Sequence, residues 1–136
     1  MFTAGTVLFV AVTYLLMVAA VYRARLRRFH VPVMATIVVI DIFFPVYLYL
    51  TKDWIRRLFE NEEIFSFLIW MHLILVITLY TLYVFQVKLG RRLLAGDETA
   101  RADHRAQGRG ILVVRALMVI TGALLVEPPE AVPPSP

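Results

Sequence analysis

The sequence predicts an all-α fold: an integral membrane four-helix bundle with both termini outside. Three observations predict it. Of 136 residues, 60% are hydrophobic, far above the usual share in a soluble domain. The apolar residues gather in four runs, at about 2–22, 31–50, 64–87 and 110–126. A helix rises about 1.5 Å per residue, so roughly 20 such residues cross a hydrocarbon core of about 30 Å. The connections, finally, differ sharply in positive charge, and that asymmetry sets orientation in a membrane.

The first run has no basic segment before it and no small-residue cleavage site after it. It is expected to be a permanent helix rather than a cleaved signal. The loop that follows carries Arg23, Arg25, Arg27 and Arg28. The second run has Pro32 in its first turn, where proline is tolerated, and Pro45 in its interior, where a kink is expected. In the next loop Lys52, Arg56 and Arg57 are balanced by Asp53, Glu60, Glu62 and Glu63. There Trp54, Ile55, Leu58 and Phe59 share one helical face, which predicts a short helix in the membrane interface. The third run contains His72 and Tyr80. The loop after it is strongly basic (Lys88, Arg91, Arg92, Arg101, Arg105, Arg109), is expected to flex at its glycines, and has Asp97 as an N-cap for a short helical stretch. The fourth run holds Arg115 and the small pair Thr121–Gly122, suited to close helix contact. These spans make one transmembrane domain, 1–126. The proline-rich tail, 127–136, is expected to be disordered.

The positive-inside rule places loops 1 and 3 in the cytoplasm of a bacterial-type inner membrane, and both termini outside. The formal charge of +4 sits at membrane edges beside anionic lipid, so no nucleic-acid partner is expected. The chain has no cysteine, which excludes disulfides and thiolate metal sites. It has no phosphate loop, no HExxH and no Ser–His–Asp set, and no enzymatic turnover is expected.

Function therefore rests on polar residues at membrane depth, which usually face a bundle interior. Asp41 lies about 15 Å from one edge by helical rise, and His72 about 12 Å from the other, so the two are expected near one level. Arg115 can pair with Asp41, as a relay or a helix tie, or snorkel to headgroups. His30 and His104 each precede a helix that enters from the cytoplasm, and they approach one another if helices two and four are neighbours. Met34 follows His30 by one turn. Imidazole plus thioether suits copper, and two imidazoles suit haem iron. The cofactor-binding candidates are thus His30, His72 and His104, with Met34 added for a metal. Tyr47, Tyr49, Trp54, Trp70, Tyr80 and Tyr83 fit interface belts.

From Phe29 to Leu125 the chain resembles the small membrane family typified by YozB and the cytochrome oxidase assembly protein CtaM. The shared elements are His72 within an apolar helix, His104–Arg105 before the last helix, Thr121–Gly122 within it, and His30 followed by Met34. The resemblance implies an assembly factor or accessory subunit of a haem–copper terminal oxidase, with the histidines as haem or copper ligands and a larger respiratory complex as partner. Three other functions fit the residues: a cytochrome b-like electron carrier, a proton or ion carrier using Asp41 and His72, and a purely structural subunit.

Overall fold

The structure, a computed structural model, describes residues 3–51, 59 and 63–126. The expected interfacial helix, apart from Phe59, and the expected disordered tail lie outside the described residues.

Four helices fill the rest: α1 (Ala4–Tyr22), α2 (Arg27–Thr51), α3 (Glu63–Leu94) and α4 (Arg101–Leu124). All four are long and apolar enough to cross a membrane, and among the described residues there is no strand. Thr3 and Thr6 form a reciprocal capping box that begins α1.

The third connection is much shorter than the sequence suggests. α3 continues past Val87 to Leu94, and α4 starts at Arg101. Gly108 and Gly110 lie inside α4. Among the described residues only Gly96 has a positive φ, +92°, and there the chain turns out of α3. A single 3-10 turn, Glu98–Ala100, follows, with Asp97 as its N-cap. The Thr99 hydroxyl and then Arg92 hold the Asp97 carboxyl below the usual carboxylate range. Arginine, alanine and glutamine are good helix formers, so both helices extend as polar turns beyond their apolar runs.

What packs the helices is a 3-4 spacing repeated in all four. In α1 the inward positions are Thr6, Val10, Thr13, Met17 and Ala20; in α2, His30, Met34, Ile37, Asp41, Phe44 and Leu48. In α3 they are Ile69, His72, Val76, Leu79, Tyr83, Gln86 and Gly90, and in α4 and its C-cap, His104, Gly108, Ile111, Arg115, Met118, Gly122 and Leu125. Every one is buried or half-buried. A repeat of 3.5 residues keeps one seam facing the partner helices along the whole length, as in left-handed bundles. Large apolar side chains off the seam, such as Leu15, Phe43, Ile74 and Val113, are exposed, as lipid-facing residues should be. Thr36, Thr78 and Thr81 also face outward, and each donates its hydroxyl to the carbonyl four residues back, so none of these three hydroxyls meets lipid unpaired.

Two apolar layers close the interior. Met17, Ile37, Leu79, Tyr83 and Ile111 form one, with Met34 packed against it. Leu48, Ile69 and Leu125 form the other, nearer the chain ends. Thr6 and Gly122 line one cavity, so the N-terminus of α1 and the C-terminus of α4 lie at the same end of the bundle. α3 packs mainly on α4, and α1 on both α4 and α2, whereas the α2 backbone makes little contact with α3 or α4. Side chains must bridge that gap.

Candidate functional site

The bridge is a polar network built on Asp41. Arg115 Nη2 lies 2.6 Å from Asp41 Oδ1, with the two side chains 2% and 11% exposed. Tyr83 donates its hydroxyl to Asp41 Oδ2. Arg115 Nη2 also donates to Thr13 Oγ1 at 3.1 Å, and Nη1 reaches Met17 Sδ at 4.0 Å. All four helices thus converge on one ion pair. Arg115 turns inward rather than snorkelling. Both carboxylate oxygens are engaged, an arrangement suited to tying helices together.

Pro45 completes the network through the backbone. It has no N–H, so the Asp41 carbonyl four residues earlier loses its helical partner. The Tyr80 hydroxyl replaces that partner, donating to Asp41 O at 2.9 Å. α2 runs on from Arg27 to Thr51 as one helix. A testable consequence is a coupling between α2 and α3. Tyr80→Phe should destabilise the bundle by about 1–3 kcal/mol, the cost of an unmet buried acceptor. In a Pro45→Ala background, where residue 45 regains its N–H, the same change should cost much less. Unfolding midpoints of the four proteins in detergent give the interaction energy directly.

His72 stands apart from this network. Its Nδ1 lies 2.7 Å from Thr121 Oγ1, and the Thr121 hydroxyl donates to Leu117 O at 2.9 Å. Asp41 and His72 do not share a level: the Asp41 carbonyl is met by Tyr80, eight residues or about 12 Å further along α3 than His72. The expectation took the two membrane edges as about 30 Å apart, whereas α3 runs on from His72 for about 33 Å to Leu94, so His72 lies further from that end of the bundle than Asp41 does.

His30 and His104 do come together, at the end of the bundle that carries the two basic connections. Their ring centroids are 6.4 Å apart, edge to face. His30 Nδ1 lies 2.9 Å from Ala20 O. That carbonyl belongs to the last turn of α1, where Ala24 N–H bonds Val21 instead, so the imidazole caps the helix end. A carbonyl can only accept, so His30 Nδ1 carries the proton and Nε2 is its acceptor nitrogen. His104 Nδ1 is buried without a partner among the described residues, as are Gln86 Oε1 and Gln107 Oε1. Gln86 Nε2 donates to the His104 carbonyl at 3.0 Å. His104 packs against Gly90, where a Cβ would lie 3.5 Å from His104 Cε1, an ordinary van der Waals contact. His72 is bonded at Thr121, seventeen residues or about 25 Å from His104 along α4, and so does not join the other two histidines. Met34 packs into the apolar layer.

This donor set fits one small metal ion better than a porphyrin. Two imidazole rings 6.4 Å apart suit a borderline ion such as copper, and the bond from His30 to Ala20 is the kind of outer contact that orients a ligating imidazole. A porphyrin needs a flat slot between its axial ligands, and neither the cavity of about 360 Å³ beside His72 nor the one of about 40 Å³ beside Asp41 borders His30 or His104. Among the described residues no three His, Cys, Asp or Glu side chains gather closely enough to hold a metal.

Thr13, Tyr83 and Gln86 were not singled out by the sequence reading as members of the polar core. The signal for all three is the 3-4 spacing, on which each falls. Fold and site together define a small four-helix membrane-spanning protein with a charged core and an imidazole pair at one end. No protein-family model matches the chain, nor does any curated protein sequence or solved structure.

Proposed function

We propose that this protein is a non-enzymatic accessory or assembly factor of a haem–copper terminal oxidase, working from a bacterial-type inner membrane and carrying copper between His30 and His104. The observation that carries the reading is the convergence of the two rings to 6.4 Å, with His104 Nδ1 buried and unpartnered among the described residues. The sequence resemblance supplies the oxidase as partner, and the basic connections supply the orientation, with the imidazole pair on the cytoplasmic side. Saturation of both Asp41 oxygens by Arg115 and Tyr83 favours this reading over an ion carrier, which needs a carboxylate able to let go of its partners.

Metal analysis of the protein purified in detergent after Cu(I) loading tests the proposal. One copper per chain is expected, falling to near zero in His30→Ala and in His104→Ala, with no Soret band after haem addition. A copper-free wild-type protein would overturn the copper site, and a Soret band lost in the same two variants would replace copper with haem. Copurification with a terminal oxidase is the expected result for the partner.

A further inference from the structure

The half of the bundle away from the imidazole pair contains a cavity of about 360 Å³, bounded by all four helices. That volume is near the lower end of small-molecule sites, which run from about 300 to 1,000 Å³. Room remains there because the α2 backbone makes little contact with α3. The exposed side chains of Val46 and Tyr49 border the cavity on α2, so it opens sideways onto the lipid-facing surface. A second, smaller cavity of about 40 Å³ adjoins it, shares Val76 and Tyr80, and reaches Asp41 and Arg115.

Three features select the occupant. The first is shape. Along α3 the wall runs from Ile69 to Tyr80, a rise of about 16 Å. One leaflet is half of a hydrocarbon core of about 30 Å, so the cavity runs the depth of one leaflet. An extended chain suits such a space, whereas a protein helix, about 10–12 Å across, is too wide for it. The second feature is the wall. Its polar side chains are already engaged within the protein. Thr6 donates its hydroxyl to Thr3 O at 2.8 Å, His72 meets Thr121 at 2.7 Å, and Tyr80 donates to Asp41 O at 2.9 Å. Nor is Tyr49 free. The rest of the lining is apolar. Ordered water needs two to four polar partners, and an apolar cavity stays dry. The third feature is the neighbour. The mouth lies on the flank of helices long and apolar enough to cross a membrane, where acyl chains are the solvent. An empty cavity forfeits dispersion contacts along its lining. A chain that enters from the side restores them without leaving hydrocarbon.

The two ends of the cavity give the chain a direction. Tyr80 reaches across from α3 to α2 at one end, and the Asp41–Arg115 pair lies just beyond. Tyr49 stands at the other, two residues before α2 ends at Thr51, where tyrosine belongs in a membrane interface. We propose that this cavity holds one acyl chain of a phospholipid from the leaflet opposite the basic connections, its methyl end toward Tyr80 and its headgroup level with Tyr49. The chain serves as packing between α2 and α3, where the protein supplies little of its own. This proposal needs no hydrogen bond to the ligand and is independent of the copper site.

Photolabelling of the full chain in dioleoylphosphatidylcholine vesicles tests it, using a trace of phosphatidylcholine with a diazirine at the end of one acyl chain. Peptide mapping should find label on Met118, half-buried on the cavity wall, as well as on the exposed Ile74 and Ile77. Val76→Phe, which fills the cavity, should remove the label from Met118 and leave Ile74 and Ile77 unchanged. Label on the exposed positions alone would overturn the proposal, and so would label on Met118 that survives Val76→Phe. Decylubiquinone that clears Met118 while sparing Ile77 would give the cavity to a ring-bearing ligand and overturn it as well. Should Val76→Phe fail to fold, Val119→Phe fills the same space from α4. The wild-type label pattern decides the matter even if neither variant folds. Copper measured in the same samples keeps the two proposals separate: Val76→Phe should lose the interior label and retain copper.

Discussion

Arg115→Ala should cost the bundle about 3–5 kcal/mol, more than the usual 0.5–3 kcal/mol for a single substitution. The reason is what remains. Asp41 is 11% exposed, at membrane depth, and among the described residues it keeps only Tyr83 as a side-chain partner. A carboxylate without its cation is strongly disfavoured there. Arg115→Lys should recover only part of the loss, since one ammonium cannot reproduce the fork that reaches Asp41, Thr13 and Met17 together. The informative control removes the whole network. Asp41→Leu, Arg115→Met and Tyr83→Phe combined leave no orphaned charge or hydroxyl at that level, and buried ion pairs replaced by packed apolar groups are often neutral or better. Tyr80 keeps its bond in the triple variant, because that bond goes to the backbone of residue 41. Detergent-titrated unfolding of the single and triple variants should therefore rank the triple as the more stable. The opposite order would mean that the ion pair does more than satisfy itself.

Fold class was legible in the sequence because it depends on the length of apolar runs, and a bilayer tolerates few alternatives. The limits of α3 and α4 were not, because polar turns outside the hydrocarbon carry no hydropathy signal. The inward faces were legible in principle. His30, Asp41, His72, His104 and Arg115 all fall on a 3-4 spacing with buried neighbours, and the spacing alone separates Tyr83, on the seam and 3% exposed, from Tyr47, off it and 58% exposed. The role of Tyr80 could also have been inferred, since Pro45 removes the partner of the Asp41 carbonyl and some donor must replace it. Which histidines meet could not. That depends on how far α2 and α4 are shifted along one another, and a shift of one turn, about 5.4 Å, moves an imidazole into or out of reach without altering the periodicity of either helix.

Leu79→Ala should be the second most damaging change, at about 2–5 kcal/mol. Leu79 is 1% exposed and lies in the apolar layer with Met17, Ile37 and Ile111. It also borders the 40 Å³ cavity beside Asp41 and Arg115. In a membrane the loss is chiefly one of packing, because lipid tails are as apolar as the side chain removed. The position of the new space decides where in the range the cost falls. Truncation would join that space to a cavity with two charged groups on its wall. Such a site can hold water where a purely apolar void stays dry, and entering water would hold the cost near 2 kcal/mol. It would also loosen the ion pair, by giving Asp41 and Arg115 other partners. Leu79→Met, which conserves volume, should cost less than about 1.5 kcal/mol. Two measurements check the argument: unfolding midpoints of both variants, and amide exchange on α2 around Asp41. Faster exchange there in Leu79→Ala, but not in Leu79→Met, is the expected signature. Slow, wild-type exchange on α2 despite the lost stability would mean that α2 is held by its packing on α1 rather than by the polar tie.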